Sequence, residues 1–166
     1  MRSLFYVLLI FLVFGCETQT KQSDNPFLTS LNEPIDYANV SADDIKEYAE
    51  IMLAGSSEAI VKLKTTEPSF NSVFAAIDEI ISDLNIASNR CFMLYWVSPD
   101  SLSRVNGLAG FQLLDSLSTT IYSDKVIFDK MLSVSQSEGY NNLEDHQKML
   151  VDQQILRFKQ SGVNLD

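Results

Sequence analysis

The chain predicts an all-α domain of long, mostly antiparallel helices. Three observations carry that expectation. Apolar residues recur with helical period over long stretches, Gly 6 and Pro 4 are few in 166 residues, and no segment alternates with the period of two that a half-buried strand needs. Hydrophobic content of 46% against 20% charged suits one domain with a real core.

The first helix opens at Ser41, with Asp43 and Asp44 following in the first turn. There the hydroxyl can cap free N–H groups, and the carboxylates meet the positive helix end. Ile45, Tyr48, Ala49, Met52 and Leu53 form its stripe, and Ala59, Ile60 and Leu63 carry it past Gly55 to about Lys64. Pro68 breaks the pattern and Ser69 restarts it. A second helix is expected from Phe70 to about Val97, with Val73, Phe74, Ile77, Ile80, Ile81, Leu84, Ala87, Cys91, Leu94 and Tyr95 inward. Ser98-Pro99-Asp100 turns the chain into a third helix, about Ser101 to Thr120, whose inward set reads Leu102, Val105, Leu108, Ala109, Leu113 and Leu117. A shorter helix follows from Asp124 to Leu132, with Val126, Ile127, Phe128 and Met131 as its apolar set. Gln136–Asn141 reads as a polar connection. Asn142 is expected to cap a last helix from Leu143 to Gln160, with Gly162 where a left-handed C′ glycine belongs.

The ends of the chain carry a different message. Arg2 precedes an apolar run from Leu4 to Phe14. As a helix that run spans about 16 Å, the size of a signal-peptide core and short of the ~30 Å needed to cross a bilayer. It ends in Val13-Phe14-Gly15-Cys16, which resembles a bacterial lipobox. The resemblance implies a diacylglyceryl group on the Cys16 sulfur, cleavage before Cys16 and acylation of the new amine. Residues 1–15 are then a lipoprotein signal peptide, 16–25 a polar tether and 26–166 a helical domain. The membrane becomes a partner through the lipid on Cys16, and the protein is expected on the outside of a bacterial cell envelope. With Cys16 so used, Cys91 reads as a buried core thiol.

The net charge is −10, or −11 once residues 1–15 are removed, because Arg2 is the sole charged residue among them. Such a chain gains nothing from displacing counterions on a phosphate backbone, so nucleic acid is not expected as a partner. The single histidine, His146, cannot by itself build a two-histidine zinc site. No HExxH, GxGxxG, GxxxxGK[ST] or GxSxG is present. The carboxylates Asp78-Glu79-Asp83 and Glu144-Asp145-Asp152 read as solvated helix faces. Phe92, Tyr95, Trp96 and Phe111 read as core, with a ligand groove as the other possibility. No residue carries catalysis on its own; for an enzyme with an unrecognised site, the parts would be Asp36, Tyr37 and His146.

Asn25-Pro26-Phe27, followed by Ile35-Asp36-Tyr37-Ala38-Asn39-Val40-Ser41-Ala42-Asp43-Asp44-Ile45, resembles the opening of the thimet oligopeptidase and peptidyl-dipeptidase family of zinc metallopeptidases. Pro68-Ser69-Phe70-Asn71-Ser72-Val73 is similar to the signature that opens the family's second long helix. Arg157-Phe158-Lys159-Gln160-Ser161-Gly162-Val163-Asn164-Leu165 is similar to a third. The likeness spans about residues 25–166. It implies the N-terminal part of a nearly all-helical oligopeptidase, a stretch that walls a channel admitting short, unstructured peptides. Zinc in that family is held by HExxH and a later glutamate, none of them in this chain. The resemblance therefore implies no catalytic residue, no metal ligand and no cofactor here, with zinc expected only in a separate C-terminal catalytic domain. RFKQSGVNLD reads on this view as mid-protein, and the chain alone is expected to be inactive. The partners implied are short peptides or that C-terminal catalytic half. The other reading is a free-standing helical envelope lipoprotein that binds peptides or a protein partner.

Overall fold

The computed structural model describes residues 25–164, and within them every regular element is helical. Ser41 opens α1 (Ala42–Thr65) with a reciprocal capping box. The Asp44 N–H donates to Ser41 Oγ at 3.2 Å, and the Ser41 N–H donates to Asp44 Oδ2 at 2.8 Å. After Pro68 a second such box joins Ser69 and Ser72. It begins a π-helical turn, Phe70–Ala75, in which the Ala76 N–H reaches back five residues to the Asn71 carbonyl. This turn runs without a break into α2 (Ala76–Val97). Asp100 caps α3 (Ser101–Tyr122) and Asp124 caps α4 (Lys125–Ser135).

The remaining boundaries differ from the sequence expectation in two places. The polar connection contains a one-turn helix, α5 (Glu138–Asn141), and the last helix, α6 (Asp145–Gln160), starts two residues after Leu143. Asn142 and Leu143 close the α5 turn, their N–H groups donating to Gly139 and Tyr140 carbonyls. The cap is Glu144, whose N–H donates to Gln147 Oε1 at 3.0 Å. At the far end Gly162 has φ 85°, the left-handed C′ position expected of it.

α1, α2 and α3 pack together as a three-helix layer, and α4 and α6 pack over the π-helical turn at one end of it. Ile45, Tyr48, Ala49, Ile60 and Leu63 of α1 meet Ile77, Ile80, Leu84, Ala87, Cys91 and Leu94 of α2 in one continuous core. Phe158 of α6 lies against Tyr122 and Phe128 and closes the end layer. Lys64 pairs with Asp124, and Lys130 donates to the Thr66 carbonyl, tying the end of α1 to α4.

α3 keeps part of the expected inward set, with Leu117 packed against the core and Leu108 half-buried, and departs from the rest. Leu102 is 57% exposed, Val105 61% and Leu113 40%, while the buried residues are Ser103, Gly107, Gly110, Leu114 and Ile121. Backbone proximity is the reason. A Cβ on Gly107 would stand 2.7 Å from the Cys91 carbonyl oxygen and 3.0 Å from the Tyr95 nitrogen. One on Gly110 would stand 3.0 Å from Cys91 Sγ. α3 therefore seats its small-residue side in the α1–α2 groove and turns Leu102, Val105 and Leu113 outward. The same correction applies to Val126 of α4, expected inward and 51% exposed.

Candidate functional site

The segment before α1 is a built strap. Asn25 is buried; its Nδ2 donates to the Asp44 carbonyl at 2.7 Å and to Glu47 Oε2 at 3.0 Å, and its Oδ1 accepts from the Phe27 N–H at 2.9 Å. That loop drives Phe27 fully into the core, edge-on to Tyr48 with ring centroids 5.0 Å apart. Arg90 of α2 holds the far side. Its Nη1 donates to the carbonyls of Phe27 and Thr29 at 3.0 and 3.1 Å, and its guanidinium sits over the Tyr48 ring. Burial pushes the Tyr48 hydroxyl above its ordinary pKa.

The candidate catalytic parts have ordinary structural partners. Asp36 accepts from Asn39 Nδ2 at 2.7 Å in the strap, and Tyr37 lies edge-on to Phe27. His146, exposed at the start of α6, pairs with Glu144 at 3.3 Å. It borders a shallow cleft with Phe70, Asp78, Glu79 and Asp83. Asp78 accepts from Gln154 at 3.4 Å and Asp152 from the Tyr140 hydroxyl at 3.5 Å. Both carboxylate sets lie exposed, as solvated faces do. Among the described residues no group of three or more His, Cys, Asp or Glu could hold a metal ion.

Cys91 is free and fully buried between α2 and α3, and burial pushes its thiol up to about 12. A thiol held protonated at neutral pH is no nucleophile, so Cys91 is the inert core residue expected. The expected signal peptide at residues 1–15 and most of the expected tether, Cys16 included, lie outside the described residues, as do Leu165 and Asp166.

The aromatic cluster divides between the places the sequence suggests and the surface: Phe111 packs against the core, Phe92 is half-buried, Tyr95 lines a shallow groove and Trp96 is exposed. Phe92 stacks at 4.5 Å on Phe111 of α3, and Tyr95 and Trp96 lie beside it with ring centroids 5.0 Å apart. Trp96 is 68% exposed. Tyr95 lines a shallow groove with Val105 and Leu108 of α3, and with the exposed Trp96 beside it they make an apolar ridge at the α2–α3 crossing. This ridge is the feature that the inward assignment of α3 concealed. The glycines at 107 and 110, one helical turn apart, were the signal available for it.

No helix of the described residues is long and apolar enough to cross a membrane. The chain matches no protein-family model and no curated protein.

Proposed function

We propose that residues 26–166 are the N-terminal, channel-wall portion of a lipid-anchored zinc metallopeptidase of the thimet oligopeptidase and peptidyl-dipeptidase type, acting on short peptides at a bacterial cell envelope. One observation supports this reading. The described residues that carry the resemblance are those that fix the joints of the helical frame. Asn25 and Phe27 lock the entry strap, Ser41 and Asp44 box the start of α1, Ser69 and Ser72 box the start of the second long helix, and Gly162 ends α6 at φ 85°. Long helices pinned at their ends make a stiff wall. On this reading the chain supplies that wall, and with no HExxH in its sequence no step of the hydrolysis is assigned to its residues.

The second reading, a helical envelope lipoprotein that binds peptides or a protein partner, draws on the exposed ridge of α2 and α3. Both readings require the anchor, and only the first requires a catalytic half. Labelled fatty acid should enter the full chain and be lost in Cys16→Ser; incorporation that survives this substitution refutes the anchor. The purified chain, given zinc and a quenched-fluorescence pentapeptide, should show no hydrolysis. Turnover abolished by a chelator would refute the assignment of this chain as wall alone.

A further inference from the structure

A lipid on Cys16 would set which end of the domain lies next to the membrane. Cys16 precedes Asn25 by nine residues, a stretch that spans at most about 32 Å. Asn25 is fastened to the first turns of α1 through the Asp44 carbonyl and Glu47. The strap that follows is held by Arg90, near the end of α2. Asn106, in the second turn of α3, donates to the Ala42 carbonyl at 2.7 Å. The start of α1, the end of α2 and the start of α3 thus share one end of the helical layer, and the chain enters there.

That end is also apolar. Trp96 and Val97 close α2 at 68% and 65% exposed, and Leu102 and Val105 open α3 at 57% and 61%. All four flank the turn Ser98-Pro99-Asp100. Trp96 lies six residues past Arg90, about 9 Å along α2, well within the reach of the tether. Charge favours the same surface. Residues 84–114 hold two arginines and a single carboxylate, Asp100, in a chain of net charge −10. Asp100 accepts from the Ser103 N–H at 2.6 Å, against the positive end of α3. Arg104 is kept at the turn by the Ser98 and Pro99 carbonyls, to which its Nη1 donates at 2.8 and 2.9 Å. An anionic lipid surface repels a chain of this net charge and is least opposed at this corner. An indole, with an apolar body and one N–H donor, suits the headgroup layer. Because the lipid already holds the domain at the surface, a patch too small to recruit a free partner suffices for this contact.

We propose that the α2–α3 corner rests on the anionic surface of the membrane that holds Cys16, with Trp96, Leu102 and Val105 at the headgroup level, a placement that rests on the lipid anchor given above. Trp96 is the single tryptophan of the chain, so its fluorescence reads this corner alone. The full chain, purified from the membranes of a bacterial host, is reconstituted into vesicles of phosphatidylethanolamine and phosphatidylglycerol, with or without bromine on the acyl chains. Brominated lipid should quench Trp96 about threefold, as for an indole at the headgroup level. Val61 is 61% exposed and lies about 28 Å along α1 from Ala42. In a Trp96→Phe, Val61→Trp chain with the same helical circular dichroism spectrum, the indole should keep its full emission. An unquenched Trp96 in a lipid-bearing chain, or equal quenching at both positions, would overturn the proposal and leave the anchor standing. Fatty-acid labelling of the same preparation reads the anchor separately, and a chain without lipid on Cys16 overturns both.

Discussion

Replacing Gly107 by alanine sets two known effects against each other. In a helix interior alanine is favoured over glycine by about 1 kcal/mol. At Gly107 the new Cβ would stand 2.7 Å from the Cys91 carbonyl oxygen and 3.0 Å from the Tyr95 nitrogen. Both are backbone atoms of α2 and cannot rotate away, so α3 must retreat and open the contact that Gly110 also makes. Overpacking of this kind costs about 1–3 kcal/mol. With two backbone atoms in the way the clash exceeds the propensity gain, and Gly107→Ala should lose up to about 2 kcal/mol net. Gly55 provides the control, since a Cβ added there would meet nothing within 4 Å. Gly55→Ala should therefore gain about 1 kcal/mol. For a domain of this size, thermal midpoints read by circular dichroism at 222 nm should move in opposite directions and end about 5–10 °C apart. A Gly107→Ala protein as stable as Gly55→Ala would refute the close α2–α3 crossing.

Other joints give further expectations. Ser41→Ala removes one half of the α1 capping box and should cost about 1 kcal/mol in a urea titration, with Ser69→Ala similar. Arg90→Met keeps an apolar stem but releases the Phe27 and Thr29 carbonyls. It should cost about 2 kcal/mol and quicken limited proteolysis within residues 28–40 before the helices are cut. The Cys91 thiol stays protonated in the folded protein to about 12, against an ordinary 9.0, while the unfolded chain ionises near that ordinary value. Its contribution is therefore complete below about pH 9 and is lost at about 1.4 kcal/mol per pH unit as pH climbs toward 12. Tyr48, raised by burial, adds in the same direction at higher pH. The midpoint of urea unfolding should fall less steeply from about pH 9 to 11 in Cys91→Ala than in the native chain.

The helical frame is legible in the sequence where caps and large apolar residues coincide. Ser41 with Asp44 and Ser69 before Phe70 each mark a true helix start, and the stripes of α1 and α2 are buried nearly throughout. Residue type alone starts the last helix two residues early, because Asn142 is the better cap on that criterion. Glu144 takes the cap because Gln147, three residues on, can accept from its N–H. α3 departs from its pattern for a deeper reason. Periodicity ranks faces by the size of apolar side chains, whereas two helices approach most closely where side chains are smallest. Gly107 and Gly110 decide the seating of α3, and Leu102 and Val105 go outward as a result.

The most direct test of the channel-wall reading is the coding DNA for about 1.5 kilobases beyond the Asp166 codon, about 500 codons, which leaves room for two domains of up to about 250 residues. The account predicts a helical reading frame with HExxH and a later glutamate, in phase with this chain or shifted by one base. A stop codon followed by unrelated sequence would contradict it and leave the helical binding lipoprotein as the reading to pursue.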